Sequence, residues 1–185
     1  MQVLIFGGTS MGDAARMRIV ATIVKQRASS TRIAVVVSAI GGVTNQLMEL
    51  IQVAWQGDDT AIALQTVRTT HDRVINDLSD VLGRVQTQKL LSFVLQQFHA
   101  LGGDLHGVRL LHECPDSAQV RILAHGEQLS SRIMHALLQA QGLDVAMLDP
   151  VSLMRTEGSL LEGQAQFDAI CDQQSQHINR SYIGQ

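Results

Sequence analysis

The stretch "MQVLIFGGTSMGDAARM" (residues 1–17) decides how the fold is read: an apolar run stops at two glycines and two hydroxyl residues, and a helical pattern follows. Residues 2–6 are nearly continuous in apolar character, as expected of a strand covered on both faces. Beyond the turn, Met17, Val20, Ile23 and Val24 recur at three- and four-residue steps, one side of an amphipathic helix. Ser10 followed by Asp13 reads as a capping box at its start. A second β-branched run, residues 32–38, completes a strand, turn, helix, strand unit.

The next stretch, "SAIGGVTNQLMELIQVAW" (residues 38–55), repeats the plan. A glycine turn leads to an N-cap at Thr44 or Asn45 and an amphipathic helix ending near Gly57. From 58 to 103 the periodicity is helical throughout, with Leu90, Leu91, Val94, Leu95 and Phe98 as an apolar side and a break near Gly83. Residues 116–141 form another helix, with Val120, Leu123, Leu129, Ile133, Leu137 and Leu138 inward and Gly126 interrupting it. Residues 144–148 read as a third strand and 167–178 as a last helix. Strands alternating with helices predict an α/β fold whose mainly parallel sheet has helices on both faces.

Composition narrows the function. With 45% apolar and 17% charged residues among 185, the chain is built to fold, and its length fits one domain. A formal charge of −3, with scattered basic residues, leaves no footprint for nucleic acid. No apolar run approaches the ~20 residues of a membrane span, and the N-terminus has no signal-peptide pattern. Cys114 and Cys171 lack CxxC spacing and read as buried free thiols, which predicts a reducing, cytoplasmic setting. His99, His106 and His112 have no carboxylate or cysteine at metal-ligand spacing, so no metal site is expected from them.

Chemistry concentrates in three places. Gly7, Gly8, Thr9 and Ser10 lie between a strand and a helix, where backbone N–H groups favour an anion, yet a tight turn capped by Ser10 would look the same. Asp13 and Ala14 stand where a P-loop needs Lys and Ser/Thr, and Thr9 stands where a dinucleotide fingerprint needs glycine. Ser38 and Thr44 bring two hydroxyls to the carboxyl edge of the sheet, where open α/β folds bind ligands; a backbone partner and a helix cap would use the same residue types. Glu127 follows Gly126 inside a helix, where glycine costs about 1 kcal/mol against alanine unless something packs close. That carboxylate could orient an ammonium group or be a solvated helix glutamate.

Together "FGGTS" (6–10), "VVVSAIGGVTNQL" (35–47) and "HGEQLSS" (125–131) resemble the aspartokinases of the amino-acid kinase superfamily. With "LHGVRLLHECPDS" (105–117), "LLQAQGLDVAMLDPVSLM" (137–154) and a helical insertion at about 58–113, the resemblance is to the N-terminal kinase region of bifunctional aspartokinase/homoserine dehydrogenases and covers essentially the whole chain. It implies a three-layer αβα sandwich of the carbamate kinase-like type, truncated after the aspartate-binding part.

The implied reaction is transfer of a phosphoryl group from ATP with Mg2+ to the side-chain carboxylate of L-aspartate. That is the first step toward lysine, threonine and methionine. By resemblance Gly7, Gly8, Thr9 and Ser10 approach the phosphates while Ser38, Thr44 and Glu127 hold aspartate. NADP enters only if a dehydrogenase domain follows, and a homo-oligomer is expected.

Two departures stand out. The family pattern is K-F-G-G-T-S, and this chain has Ile5 at the lysine; the later "GRGGSD"-like segment of the nucleotide half is absent, as are the regulatory and dehydrogenase domains. An electrostatic group of the lysine's kind typically supplies about 10²- to 10³-fold in rate. The expectation is therefore a lobe inactive by itself, or a non-catalytic binding or assembly module derived from an aspartokinase.

Overall fold

The computed structural model of the chain describes residues 1–148, 156–157 and 164–165, in two compact units, Met1–Val145 and Ala146–Gln185. The second contains a minimal antiparallel pair, β3 (Thr156–Glu157) with β4 (Gln164–Ala165). The helix expected at 167–178 and Cys171 lie outside the described residues.

The first unit runs β1 (Gln2–Phe6), α1 (Ala14–Ala28), β2 (Ile33–Val37), α2 (Val43–Trp55), α3 (Ala61–Asp77), α4 (Ser79–Leu111) and α5 (Asp116–Ala140). β1 and β2 are parallel and in register from Gln2 opposite Ile33 to Phe6 opposite Val37. Partners in a parallel ladder share a face, so Leu4, Phe6, Ile33, Val35 and Val37 all pack on the helical core. Val3, Ile5 and Val36 belong to the opposite face and are exposed, and no helix among the described residues covers them. The α/β class and the parallel pairing thus stand, with one helical layer present among the described residues.

Residues 144–148 are not a strand: they follow α5 as irregular chain. A strand needs a neighbour to take its N–H and C=O groups; here the Val145 carbonyl lies 3.1 Å from His135 Nε2 instead. Apolar composition alone made the segment look like a strand. The α5 terminus itself is closed by Gly142 (φ 84°), whose N–H donates to Gln139 O at 2.9 Å while Leu143 N–H donates to Leu138 O at 3.2 Å.

The helix starts also differ. Asp13, not Ser10, caps α1, its Oδ1 accepting the Arg16 N–H at 2.8 Å. Ser10 is held in the preceding turn by its own N–H, which donates to Gly7 O at 2.9 Å. At α2 the cap is Gly42 in the left-handed region (φ 84°), so Thr44 falls inside the first turn and caps nothing.

Val43, Leu47, Leu50, Ile51 and Ala54 form the buried stripe of α2, the 3.6-residue period that the sequence carries. The long helical pair is present, and Gly83 (φ 73°, ψ 160°) breaks the helical backbone inside α4. Leu90, Val94, Phe98, Leu101, Leu105 and Val108 face the core. Leu95, Ile23 and Val120, expected inward, sit at the solvent fringe of their helices.

Candidate functional site

The carboxyl ends of β1 and β2 open into two loops that touch. A Cβ added to Gly41 would come within 3.1 Å of Gly8 O and 3.4 Å of Gly12 Cα, so the loops meet backbone to backbone. Met11, wholly buried, anchors the first loop to the core. Between them lies an open cavity of about 530 Å³ lined by Gly8, Thr9, Gly12, Arg16, Gly41 and Gly42. Five of these six are glycine or threonine, which leaves backbone as much of the wall, and Arg16 is the single charged residue.

The α5 helix reaches the same edge. At Gly126 a Cβ would stand 2.9 Å from Ala39 Cβ and 3.5 Å from Val43 Cγ1, so glycine is what lets α5 lie against the corner between β2 and α2. That contact places Glu127, half-buried, with Oε1 3.4 Å from the Ala39 N–H. One turn on, Ser130 is fully buried and its Oγ donates to Ser38 O at 2.7 Å. The Ser38 N–H donates to Phe6 O at 3.0 Å, extending the β1–β2 ladder by one rung.

Of the expected site residues, then, Ser38 and Glu127 come together at the end of β2. Gly7, Gly8, Thr9 and Ser10 form the turn beside the cavity. Thr44 is exposed in the first turn of α2, next to Val43, which packs on Gly126.

Ser130 and Arg16 were not singled out in the sequence. Their signal was weak but present: each lies three residues after an acidic residue, Glu127 and Asp13. The two lysines of the chain are remote from the loop: Lys25 Nζ donates to Gln141 O at 3.0 Å, and Lys89 lines a separate cavity of about 230 Å³ with Phe93, Arg132 and His135. Ile5 is 76% exposed on the open sheet face.

Two imidazoles are buried in the first unit, His125 beside the site and His71 between α3 and α4. His125 precedes Gly126, and burial lowers its pKa, with Asp104 opposing and Arg121 adding to the shift. His71 is fully buried edge-on to Phe98, its Nδ1 2.9 Å from Val67 O, and burial lowers its pKa as well. Cys114 is half-buried and its thiol is pushed up, chiefly by burial and then by Asp116. No group of three His, Cys, Asp or Glu among the described residues could hold a metal ion. Among the described residues no helix is long and apolar enough to cross a membrane.

The chain resembles known proteins in sequence and in fold. The chain is 28% identical over 151 residues to the bifunctional aspartokinase/homoserine dehydrogenase of Buchnera aphidicola, covering 82% of this chain and 18% of that protein. It is 29% identical over 153 residues to Escherichia coli bifunctional aspartokinase/homoserine dehydrogenase 2, with the same coverage of 82% and 18%. In fold it is similar to E. coli aspartokinase III, solved with aspartate and ADP, at a TM-score of 0.82 and 20% identity over 96% of this chain and 37% of that one. It therefore spans about a fifth of its curated relatives and little more than a third of that solved chain. The sequence profile described as the amino acid kinase family matches residues 1–178, and the chain belongs to that family.

Proposed function

We propose that the chain is the aspartate-binding part of an aspartokinase domain, with the helical insertion at 58–113, and that its parent protein transfers the terminal phosphoryl group of ATP to the side-chain carboxylate of L-aspartate. In that step a carboxylate oxygen forms the new P–O bond, the bond to the β-phosphate breaks, and 4-phospho-L-aspartate and ADP leave. The observation that carries the reading is the meeting of the Gly8 and Gly41 loops with Glu127 at the carboxyl ends of two parallel strands. Hydroxyl and N–H groups there suit a carboxylate, and Glu127 suits an α-ammonium. The cavity fits a polyphosphate: its wall is small residues and backbone, with one cation.

Phosphoryl transfer depends on positioning and charge neutralisation. ATP with Mg2+ is here a substrate, and the described residues offer no protein cage for the metal. NADP belongs to the dehydrogenase half that the relatives' names describe, and no residue of this chain is assigned to it. Because Ile5 cannot neutralise phosphate charge, the chain by itself is expected to bind aspartate without turning it over. Ile5 also favours a second reading, a non-catalytic amino-acid-binding or assembly module. A cytoplasmic location and a homo-oligomer belong to the same proposal.

Calorimetric titration with L-aspartate and Mg·ADP separately tests the site. Aspartate binding in the millimolar range, weakened about tenfold or more by Glu127→Gln, supports it; no aspartate binding by the folded chain overturns it. For the two readings, the decisive assay is phosphorylation of aspartate by a longer chain that includes the downstream half of the domain, with and without Ile5→Lys.

A further inference from the structure

We propose that Arg16 is the cation that meets phosphate in this chain, in which Ile5 supplies no charge. The inference rests on the reading of residues 7–10 as a phosphate loop and adds to it a residue that the resemblance does not name. Arg16 is in the first turn of α1 and lines the cavity between the two glycine loops. Its guanidinium is held over the loop by two contacts: Nη1 donates to Thr9 O at 3.0 Å, and Nε lies 3.5 Å from Asp13 Oδ2. Nη2 has no partner among the described residues, so donors remain for a ligand.

Gly12 supports the same placement from the other side. A Cβ there would come within 2.8 Å of Arg16 Nη1 and 3.3 Å of Thr9 O. Glycine at this position leaves room for the guanidinium to lie across the loop. Asp13 is the acidic group nearest to it and offsets part of its charge, while its Oδ1 is engaged by the Arg16 N–H as the helix cap. Lys25 and Lys89 are committed elsewhere, at the end of α5 and in the separate cavity. Ile5 projects from the exposed face of the sheet, so the charge at the loop comes from the helix and not from the strand.

The test is calorimetric titration of the full chain with inorganic tripolyphosphate and with L-aspartate. The expected result is tripolyphosphate binding that Arg16→Gln weakens at least about tenfold, as losing a charge-assisted contact does, with aspartate binding unchanged. Arg16→Lys should keep most of the affinity, because a point charge still serves a phosphate oxygen. Equal tripolyphosphate affinity for wild type and Arg16→Gln overturns the inference and leaves the phosphate loop standing. A wild-type chain that binds aspartate but no tripolyphosphate overturns the phosphate loop itself, and Arg16 with it. Should Arg16→Gln not fold, Arg16→Ala serves in its place, since the side chain is exposed and the Asp13 cap uses the backbone N–H, which the variant keeps.

Discussion

The hydroxyl of Ser130, on α5, donates to the carbonyl of Ser38 at the end of β2 across 2.7 Å, joining residues 92 positions apart. Ser130 is wholly buried, so this bond holds the helix that bears Glu127 at a fixed height on the sheet edge. Ser130→Ala should cost about 1 kcal/mol, the usual net worth of such a bond, or up to about 3 if the Ser38 carbonyl is left without a partner. Urea denaturation measures the loss. Aspartate affinity should fall as well, which a purely structural contact remote from the site would not cause.

Gly126→Ala sets two effects against each other. Alanine improves helix propensity by about 1 kcal/mol, but its Cβ would stand 2.9 Å from Ala39 Cβ, and overpacking costs about 1 to 3 kcal/mol. The steric term should win, because Ala39 and Val43 sit on a corner pinned by the loop contact and cannot retreat together. The expected outcome is a lower denaturation midpoint and weaker aspartate binding. A stabilised variant would mean that α5 can slide along the sheet.

Glu127→Gln separates charge from shape. The amide oxygen can still accept the Ala39 N–H, so stability should change by less than about 0.5 kcal/mol, while aspartate affinity should drop about tenfold or more with the loss of the ammonium partner. Unchanged aspartate binding would remove Glu127 from the site.

Acid should weaken the fold through His71 and His125. Both have folded-state pKa values below the ordinary 6.5, chiefly from burial, so the unfolded chain takes up protons first as pH falls. Stability is then level above about 6.5 and declines below it, toward the lowered folded-state values. Urea midpoints at pH 7.5 and 5.5 should differ in that direction, and His71→Leu should reduce the slope between them.

Ile5→Lys should leave stability within about 0.5 kcal/mol, since the side chain is 76% exposed. Circular dichroism and thermal unfolding check this. A neutral result means that folding does not dictate the residue at this position.

Much of this was legible in the residues themselves. The β1–α1–β2 unit, the α2 stripe and the Gly83 break follow from periodicity and glycine punctuation, because backbone geometry ties side-chain direction to spacing within one element. The same local rules failed wherever a partner from elsewhere decides. Residues 144–148 have a strand's composition but lack a strand's neighbour, and Ser10 and Thr44 have a cap's chemistry while Asp13 and Gly42 take the caps.

By its own patterning the chain determined its elements, its one-sided helices and the glycines at its loops. Only the tertiary structure decided that Gly126 would bring Glu127 to Ala39, that Ser130 would tie α5 to Ser38, and that Arg16 rather than Lys25 would overhang the Gly8 loop. The reason is physical: periodicity records which face of an element avoids water, whereas a site depends on which faces meet and at what height, and the contacts of Glu127 and Ser130 join residues far apart in the chain.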